Sequence, residues 1–247
     1  MSVNRILISQ PKPEGDKSPY HELAKRCKVE VDFRPFIHVE AVDAKEFRKE
    51  RINMLDHTAV IFTSRNAVDH FFRIAKDLRT PIPDTMKYFC ISESTAFYLQ
   101  KYVVYRKRKI FYGSQTFKDL MEIIKKHKDE KFLLPCSDIH KQEIPEMLDE
   151  AGIKYSKAII YRTVCSDLSD LSSLNYDMLV FFSPSGLKSL LQNFPKFKQN
   201  TTKIAAFGPT TAKAVREAKL RLDVEAPSPQ APSMSMAIEQ FLKKSRK

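Results

Sequence analysis

Glycine is scarce in this 247-residue chain, five in all, and cysteine scarcer, at four. So few glycines leave no G-x-G-x-x-G turn for a dinucleotide and no G-x-x-x-x-G-K-[ST] loop for a nucleoside triphosphate. A G-x-S-x-G nucleophile elbow is missing too, because Ser183-Pro184-Ser185-Gly186 holds its residues in another order. Cys27, Cys90, Cys136 and Cys165 lie 63, 46 and 29 residues apart. That spread excludes a disulfide framework, a zinc knuckle and a close-spaced redox pair, and the four read as buried free thiols. The six histidines show no H-E-x-x-H pairing, so a metal site is not expected. Long apolar runs are absent as well. Met178–Phe182, one of the longest, falls far short of the roughly 20 residues of a spanning helix. Near the start, Ile6–Ile8 is too short for a signal peptide and no small-residue cleavage site follows, so the chain reads as cytoplasmic.

What is present is positive charge. Lys and Arg number 42 against 30 Asp and Glu, a net +12, in a chain that is 43% apolar. The apolar content can fill a core and excludes general disorder. The charge alone fits nucleic acid, an acidic membrane or an acidic small molecule. Its distribution narrows the choice. Residues 40–165 carry net +5 and the remainder +7, so no basic arm exists. The densest cluster, Arg106-Lys107-Arg108-Lys109, reads as a solvated strand edge where charge blocks unwanted pairing. The run Lys243–Lys247 reads as a frayed helix end. Neither nucleic acid nor membrane is therefore expected as a partner.

Short β-rich runs alternate with helical patterns. Expected strands are Ile6–Ser9, Val29–Phe33, Ala59–Thr63, Tyr88–Ile91, Lys131–Leu134, Lys154–Tyr161, Met178–Phe182, Lys203–Phe207 and Leu222–Glu225. Between them, Ser18-Pro19 opens a helix with proline at its first position, and Gln115–His127 places Phe117, Leu120, Met121 and Ile124 at helical spacing. Glu143–Ala151 stops at Gly152, a capping glycine, and Met234–Lys243 forms a last helix after a loop marked by Pro227, Pro229 and Pro232. This alternation argues for α/β architecture with parallel sheets.

The chain also matches itself. Phe62-Thr63-Ser64-Arg65-Asn66-Ala67-Val68 lies over Phe181-Phe182-Ser183-Pro184-Ser185-Gly186-Leu187, 119 positions later and without a gap. Ile91-Ser92-Glu93-Ser94-Thr95-Ala96 lies over Phe207-Gly208-Pro209-Thr210-Thr211-Ala212, 116 positions later. Two matches in one order at nearly one offset imply a duplication, hence two similar α/β domains. Each matched segment is a strand, a small hydroxyl-rich turn and an amphipathic helix. Helix N-termini present free N–H groups and a positive dipole end to anions, and hydroxyls add hydrogen bonds. Ser and Thr are equally favoured as plain N-caps, so one such turn is ambiguous. Four of them on a +12 chain point to a ligand cleft between the two domains, fitted to a molecule with several negative charges.

These residues reach a known family. VIFTSRNAV (Val60–Val68), IIYRTV (Ile159–Val164), LVFFSPSGL (Leu179–Leu187) and AAFGPTTAKAV (Ala205–Val215) resemble, in order, the signature segments of the uroporphyrinogen-III synthases. The resemblance implies two parallel-sheet α/β domains joined by a two-stranded connector, with the second domain inserted into the first. By that analogy one domain is residues 1–37 plus 168–247 and the other is 41–160, with connectors at about 36–40 and 160–167. The repeat alone would cut the chain near residue 125.

The implied activity closes hydroxymethylbilane, a linear tetrapyrrole with eight carboxylates, while inverting its terminal pyrrole ring to give uroporphyrinogen III. It implies no cofactor or metal, a small-molecule polycarboxylate substrate, and a monomer. Tyr161, in IIYRTV, matches the tyrosine proposed to protonate the departing hydroxyl. Thr63, Ser64, Arg65, Ser92, Ser183, Ser185, Thr210 and Thr211 match turns expected to receive carboxylates, and Lys203 matches a basic residue beside the last of them. Ser9-Gln10-Pro11, Ser92-Glu93 and Pro135-Cys136-Ser137-Asp138 depart from the family's pattern. Within the same fold, a non-catalytic ligand-binding or regulatory protein is the alternative.

Overall fold

The structure is a computed structural model that describes residues 3–15, 18–114, 116–140, 142–171 and 174–245. Along the chain run β1 (Arg5–Ile8), α1 (Pro19–Cys27), β2 (Glu30–Phe33), β3 (Ile37–Ala41), α2 (Ala44–Lys49), β4 (Ala59–Phe62) and α3 (Arg65–Asp77). Then come β5 (Lys87–Cys90), α4 (Glu93–Leu99), β6 (Ile110–Tyr112), α5 (Phe117–Ile124), β7 (Phe132–Ser137), α6 (Glu143–Glu150) and β8 (Tyr155–Cys165). The chain ends through β9 (Met178–Phe181), α7 (Pro184–Asn193), β10 (Lys203–Phe207), α8 (Pro209–Glu217), β11 (Val224–Ala226) and α9 (Met234–Ser245). The Gln115 start expected for α5, and Arg246 and Lys247 at the expected frayed end, lie outside the described residues.

The chain divides into two compact units, Val39–Thr163 and the combination of Met1–His38 with Val164–Lys247. In the Val39–Thr163 unit the strands run in the order β8-β7-β4-β5-β6, each neighbouring pair parallel, with β3 lying outside β8. The central strand β4 reads Ala59-Val60-Ile61-Phe62 and is buried at every position. Such an unbroken apolar run is what a parallel sheet covered on both faces requires. On one face Val60 and Phe62 pack with Val68, Phe71 and Ile74 of α3; on the other Ala59 and Ile61 pack with Leu120, Met121 and Ile124 of α5. Phe71 is fully buried and meets Phe62 edge to face with ring centroids 5.4 Å apart. Gly113, between β6 and α5, has a backbone reason: a Cβ there would stand 2.9 Å from the Leu120 nitrogen.

The other unit holds a sheet in the order β11-β10-β9-β1-β2, again parallel throughout. Its central strand β9, Met178-Leu179-Val180-Phe181, is also buried at every position. Counted from β4, the first unit's strands stand in the order third, second, first, fourth, fifth. Counted from β9 and continued through the chain's start, β9, β10, β11, β1 and β2 stand in the same order. The two sheets are thus circular permutations of one plan. The opening β1-α1-β2 occupies the place that β7-α6-β8 holds in the other unit. Its helix α1 packs against the last helix α9, where Arg26 and Glu239 pair at 3.5 Å. This permutation explains why the nearly constant offset cannot continue into β7, whose counterpart β1 lies at the start of the chain.

Both sheets agree with the α/β reading of the sequence. One strand, β6, goes beyond it: its three residues follow the Arg106–Lys109 cluster at the sheet edge. Strand β7 also extends to Ser137, so Pro135 and Cys136 belong to a buried strand and not to a turn. No described helix is long and apolar enough to cross a membrane.

Candidate active site

In a doubly wound sheet, ligands bind outside the carboxyl ends of the strands, where the strand order reverses. In the Val39–Thr163 unit that place is the end of β4 and β7. The first turn there is Thr63-Ser64. Ser64 sits at φ −163° and ψ 162° and caps α3, its Oγ accepting the Ala67 N–H at 3.1 Å. Arg65, exposed at the first helical position, places its guanidinium 5.4 Å above the Tyr98 ring. In the neighbouring turn Ser92 caps α4, accepting the Thr95 N–H at 3.4 Å, with Ser94 Oγ 3.0 Å from its own hydroxyl. Glu93 stands in the first turn of the same helix, so a carboxylate of the protein already answers that helix's positive end.

Strand β8 brings Tyr161 to this edge. Its hydroxyl lies 3.3 Å from Ser64 Oγ, and its ring is stacked on the His70 imidazole of α3, centroids 5.0 Å apart at 23°. The residue is 8% exposed. Burial pushes the phenol above its ordinary value; the Ser64 hydrogen bond acts against that, while Cys136 and Asp138 add to it. Tyr161 is thus a protonated phenol at neutral pH. Beside it, after β7, the Asp138 carboxylate accepts the Thr163 N–H at 3.0 Å, the Ile139 N–H at 2.9 Å and the Ser137 hydroxyl at 2.8 Å. Burial works to raise its titration, but these hydrogen bonds carry it below the usual carboxylate range. The Asp138 N–H in turn donates to the Tyr161 carbonyl at 3.3 Å, which ties the end of β7 to β8.

The corresponding place in the other unit is the end of β9 and β1. Ser183 caps α7 at φ −153° and ψ 153°, its Oγ accepting the Gly186 N–H at 3.1 Å. Ser185 is half-buried in the first turn of α7. At α8, Gly208 takes the capping position at φ +86° and no side chain caps the helix. The free N–H groups at that end therefore keep their capacity for an outside acceptor. Thr210 is exposed in the first turn.

A family model described as uroporphyrinogen-III synthase HemD matches residues 18–235. The chain belongs to the uroporphyrinogen-III synthase family. A uroporphyrinogen-III synthase of Saccharomyces cerevisiae is 28% identical over 139 residues, a match covering 50% of this chain and 50% of that protein. The chain thus spans about half the length of this relative. The crystal structure of the Helicobacter pylori uroporphyrinogen-III synthetase superposes with a TM-score of 0.64 at 19% identity, covering 98% of this chain and all of the other. A mutant uroporphyrinogen III synthase of Thermus thermophilus gives 0.58 at 17% identity over 98% of this chain and all of the other. At such identities the structures speak for the fold.

Of the residues that the family resemblance placed among the ligand contacts, Lys203 lies away from its turn and Thr211 keeps its place in the turn but points its side chain inward. Lys203 opens β10, whose other end is Phe207, so it lies at the amino edge, about 13 Å of strand from the Gly208 turn. There it pairs with Asp223 at 3.4 Å. Thr211 is 1% exposed and packed inside α8 next to Ala212, while Thr210 one position earlier faces out. Thr63, Ser64, Arg65 and Tyr161 do come together at one sheet edge, and Ser183 with Ser185 at another.

Sequence reasoning passed over His70, Arg73 and Asp138 as site residues. His70 and Arg73 lie three positions apart on α3, a spacing that any surface helix offers. Only the course of β8 shows that this face meets Tyr161. Among the described residues, no group of three or more His, Cys, Asp or Glu could hold a metal ion.

Proposed function

We propose that this protein is a uroporphyrinogen-III synthase, closing hydroxymethylbilane with inversion of its terminal pyrrole ring. The observation that carries the reading is the Tyr161 hydroxyl, 3.3 Å from Ser64 at the capped start of α3, in a member of this family. The reaction removes water from the bilane and forms a carbon–carbon bond without oxidation or reduction, so it calls for proton transfer and orientation alone. The phenol of Tyr161 gives its proton to the departing hydroxyl, which leaves as water. The azafulvenium left behind is attacked by the substituted carbon of the terminal pyrrole. The spiro intermediate then breaks the bond from that carbon to its original methylene bridge, the free α-carbon of the same ring attacks the cation so formed, and the proton lost on this closure returns to the Tyr161 oxygen. The Tyr161 oxygen, negative after the transfer, is met by the Ser64 hydroxyl and the positive end of α3.

The bilane closes unaided to the uninverted isomer, so holding it folded is half of the catalysis. Thr63, Ser64 and Arg65 at one edge, and Ser183, Ser185, Thr210 and the open N-terminus of α8 at another, are the proposed receivers of its carboxylates. The protein is taken to act as a cytoplasmic monomer on this small molecule. The test is a coupled assay with porphobilinogen and a bilane-forming synthase, followed by oxidation and separation of the porphyrin isomers. The reading expects the type III isomer; accumulation of type I alone overturns it.

A further inference from the structure

Helix α3 begins at its Ser64 cap and carries His70, Arg73 and Asp77 at spacings of three and four, one face of an α-helix. Arg73 is fully engaged on that face. One terminal nitrogen donates to Asp77 at 2.8 Å, and the other donates to the carbonyl oxygens of Val42 at 2.7 Å and Ile160 at 3.1 Å. Its Nε–H donates to His70 Nδ1 at 3.2 Å. A nitrogen that accepts a hydrogen bond carries no proton, so the imidazole is neutral, with its hydrogen on Nε2. Burial and the Arg73 charge both disfavour the imidazolium and hold His70 below its ordinary titration, with Asp69 opposing them. The neutral ring then lies over Tyr161 with centroids 5.0 Å apart, and the phenol hydroxyl meets Ser64, whose Oγ accepts from Ala67 of the same helix. The chain of contacts leaves α3 at Arg73 and returns to it at Ser64, with Tyr161 enclosed.

We propose that His70 is a positioning residue for Tyr161: its neutral ring, which Arg73 ties to the backbone of β8, clamps the phenol so that its hydroxyl is held at Ser64. This rests on the reading of Tyr161 as the proton donor. Neutrality matters chemically, because an imidazolium here would set a second cation beside the developing azafulvenium. The groups facing the phenol are Ser64 and His70 from α3, Cys136 of β7 and Asp138 just after it; those acting on His70 are Arg73 and Asp69.

The test separates ring from acceptor. His70→Asn keeps an acceptor for Arg73 and removes the ring; His70→Phe keeps the ring and removes the acceptor. Turnover is measured as type III isomer formed. The Tyr161 phenol is followed by ultraviolet tyrosinate absorbance, taken as the difference from Tyr161→Phe in the same background. His70→Asn is expected to lower kcat about tenfold at unchanged KM, and His70→Phe to restore it to within about twofold. In His70→Asn the uncovered phenol titrates lower, towards the ordinary range, and in His70→Phe it stays where the wild type has it. Equal behaviour of the two variants in the absorbance titration overturns the clamp. If the wild type itself yields only type I isomer, the proposed function fails, while the titration still decides whether His70 holds Tyr161.

Discussion

Ser64 and Ser183 hold one geometry at positions 119 residues apart. Both are extended, at φ −163° and −153°, and both accept the N–H three residues on at 3.1 Å. Each follows a fully buried central strand and opens the helix at its sheet's switch point. The duplication has thus preserved a local hydrogen bond as well as a strand order. What differs is the next contact, since Ser64 also meets a phenol.

Replacing Ser183 by Ala removes a side-chain cap and leaves the rest of α7 intact. The expected loss is about 1 kcal/mol of unfolding free energy, with Ser183→Asp or Ser183→Thr retaining most of it. Urea unfolding gives the comparison directly. A Ser183→Ala protein as stable as wild type would show that water replaces the cap at no cost.

Lys203 and Thr210 make opposite predictions although they lie only seven positions apart. Lys203 pairs with Asp223, whose carboxylate also accepts the Ile204 N–H at 3.0 Å and Arg221 Nε–H at 3.0 Å. Lys203→Met should therefore cost about 0.5–1 kcal/mol of stability and leave KM for the bilane unchanged. Thr210→Val removes an exposed hydroxyl at the open end of α8 and should raise KM about threefold to tenfold with little change in stability. A raised KM in Lys203→Met would return that lysine to the substrate.

The architecture was legible because its central strands are unbroken apolar runs and its turns carry capping residues. Ala59–Phe62 and Met178–Phe181 could hardly be anything else. What escaped was whatever depends on where distant segments meet. Strand β6 is three residues long, borders a basic cluster and gains its place only by pairing with β5. Lys203 looks adjacent to the Gly208 turn in sequence, yet a strand carries its two ends to opposite edges of the sheet. Thr211 and Thr210 are equivalent as letters, and helix phase alone separates an inward side chain from an outward one. His70 and Arg73 carry no motif, and their meaning arises from β8, where Arg73 meets the Ile160 carbonyl 87 residues away.

Asp138 should make stability depend on acid. Its folded titration lies below that of the unfolded chain, so its contribution is whole above the ordinary carboxylate value of about 4 and fades as pH falls through the folded value. Asp138→Asn removes that linkage. The gap in urea midpoint between wild type and Asp138→Asn should be wide at about pH 7 and narrow at about pH 3. A gap independent of pH would mean that the carboxylate charge contributes nothing beyond its shape.

The four cysteines should separate by accessibility. Burial pushes the Cys90 thiol up to about 12 and Cys136 up to about 11. Only the thiolate reacts, and at about pH 8 a thiol titrating near 12 is ionised to roughly one part in ten thousand. Cys27 is also buried, at 3% exposure, whereas Cys165 at the end of β8 is half-exposed. The native protein should take up one equivalent of an aromatic disulfide reagent rapidly, and the denatured protein all four. Cys165→Ser should abolish the rapid equivalent and leave three after denaturation. Two or more rapid equivalents from the native wild type would show that a buried helix or strand opens on the timescale of labelling. The element concerned would then be identified by which further Cys→Ser variant suppresses the excess.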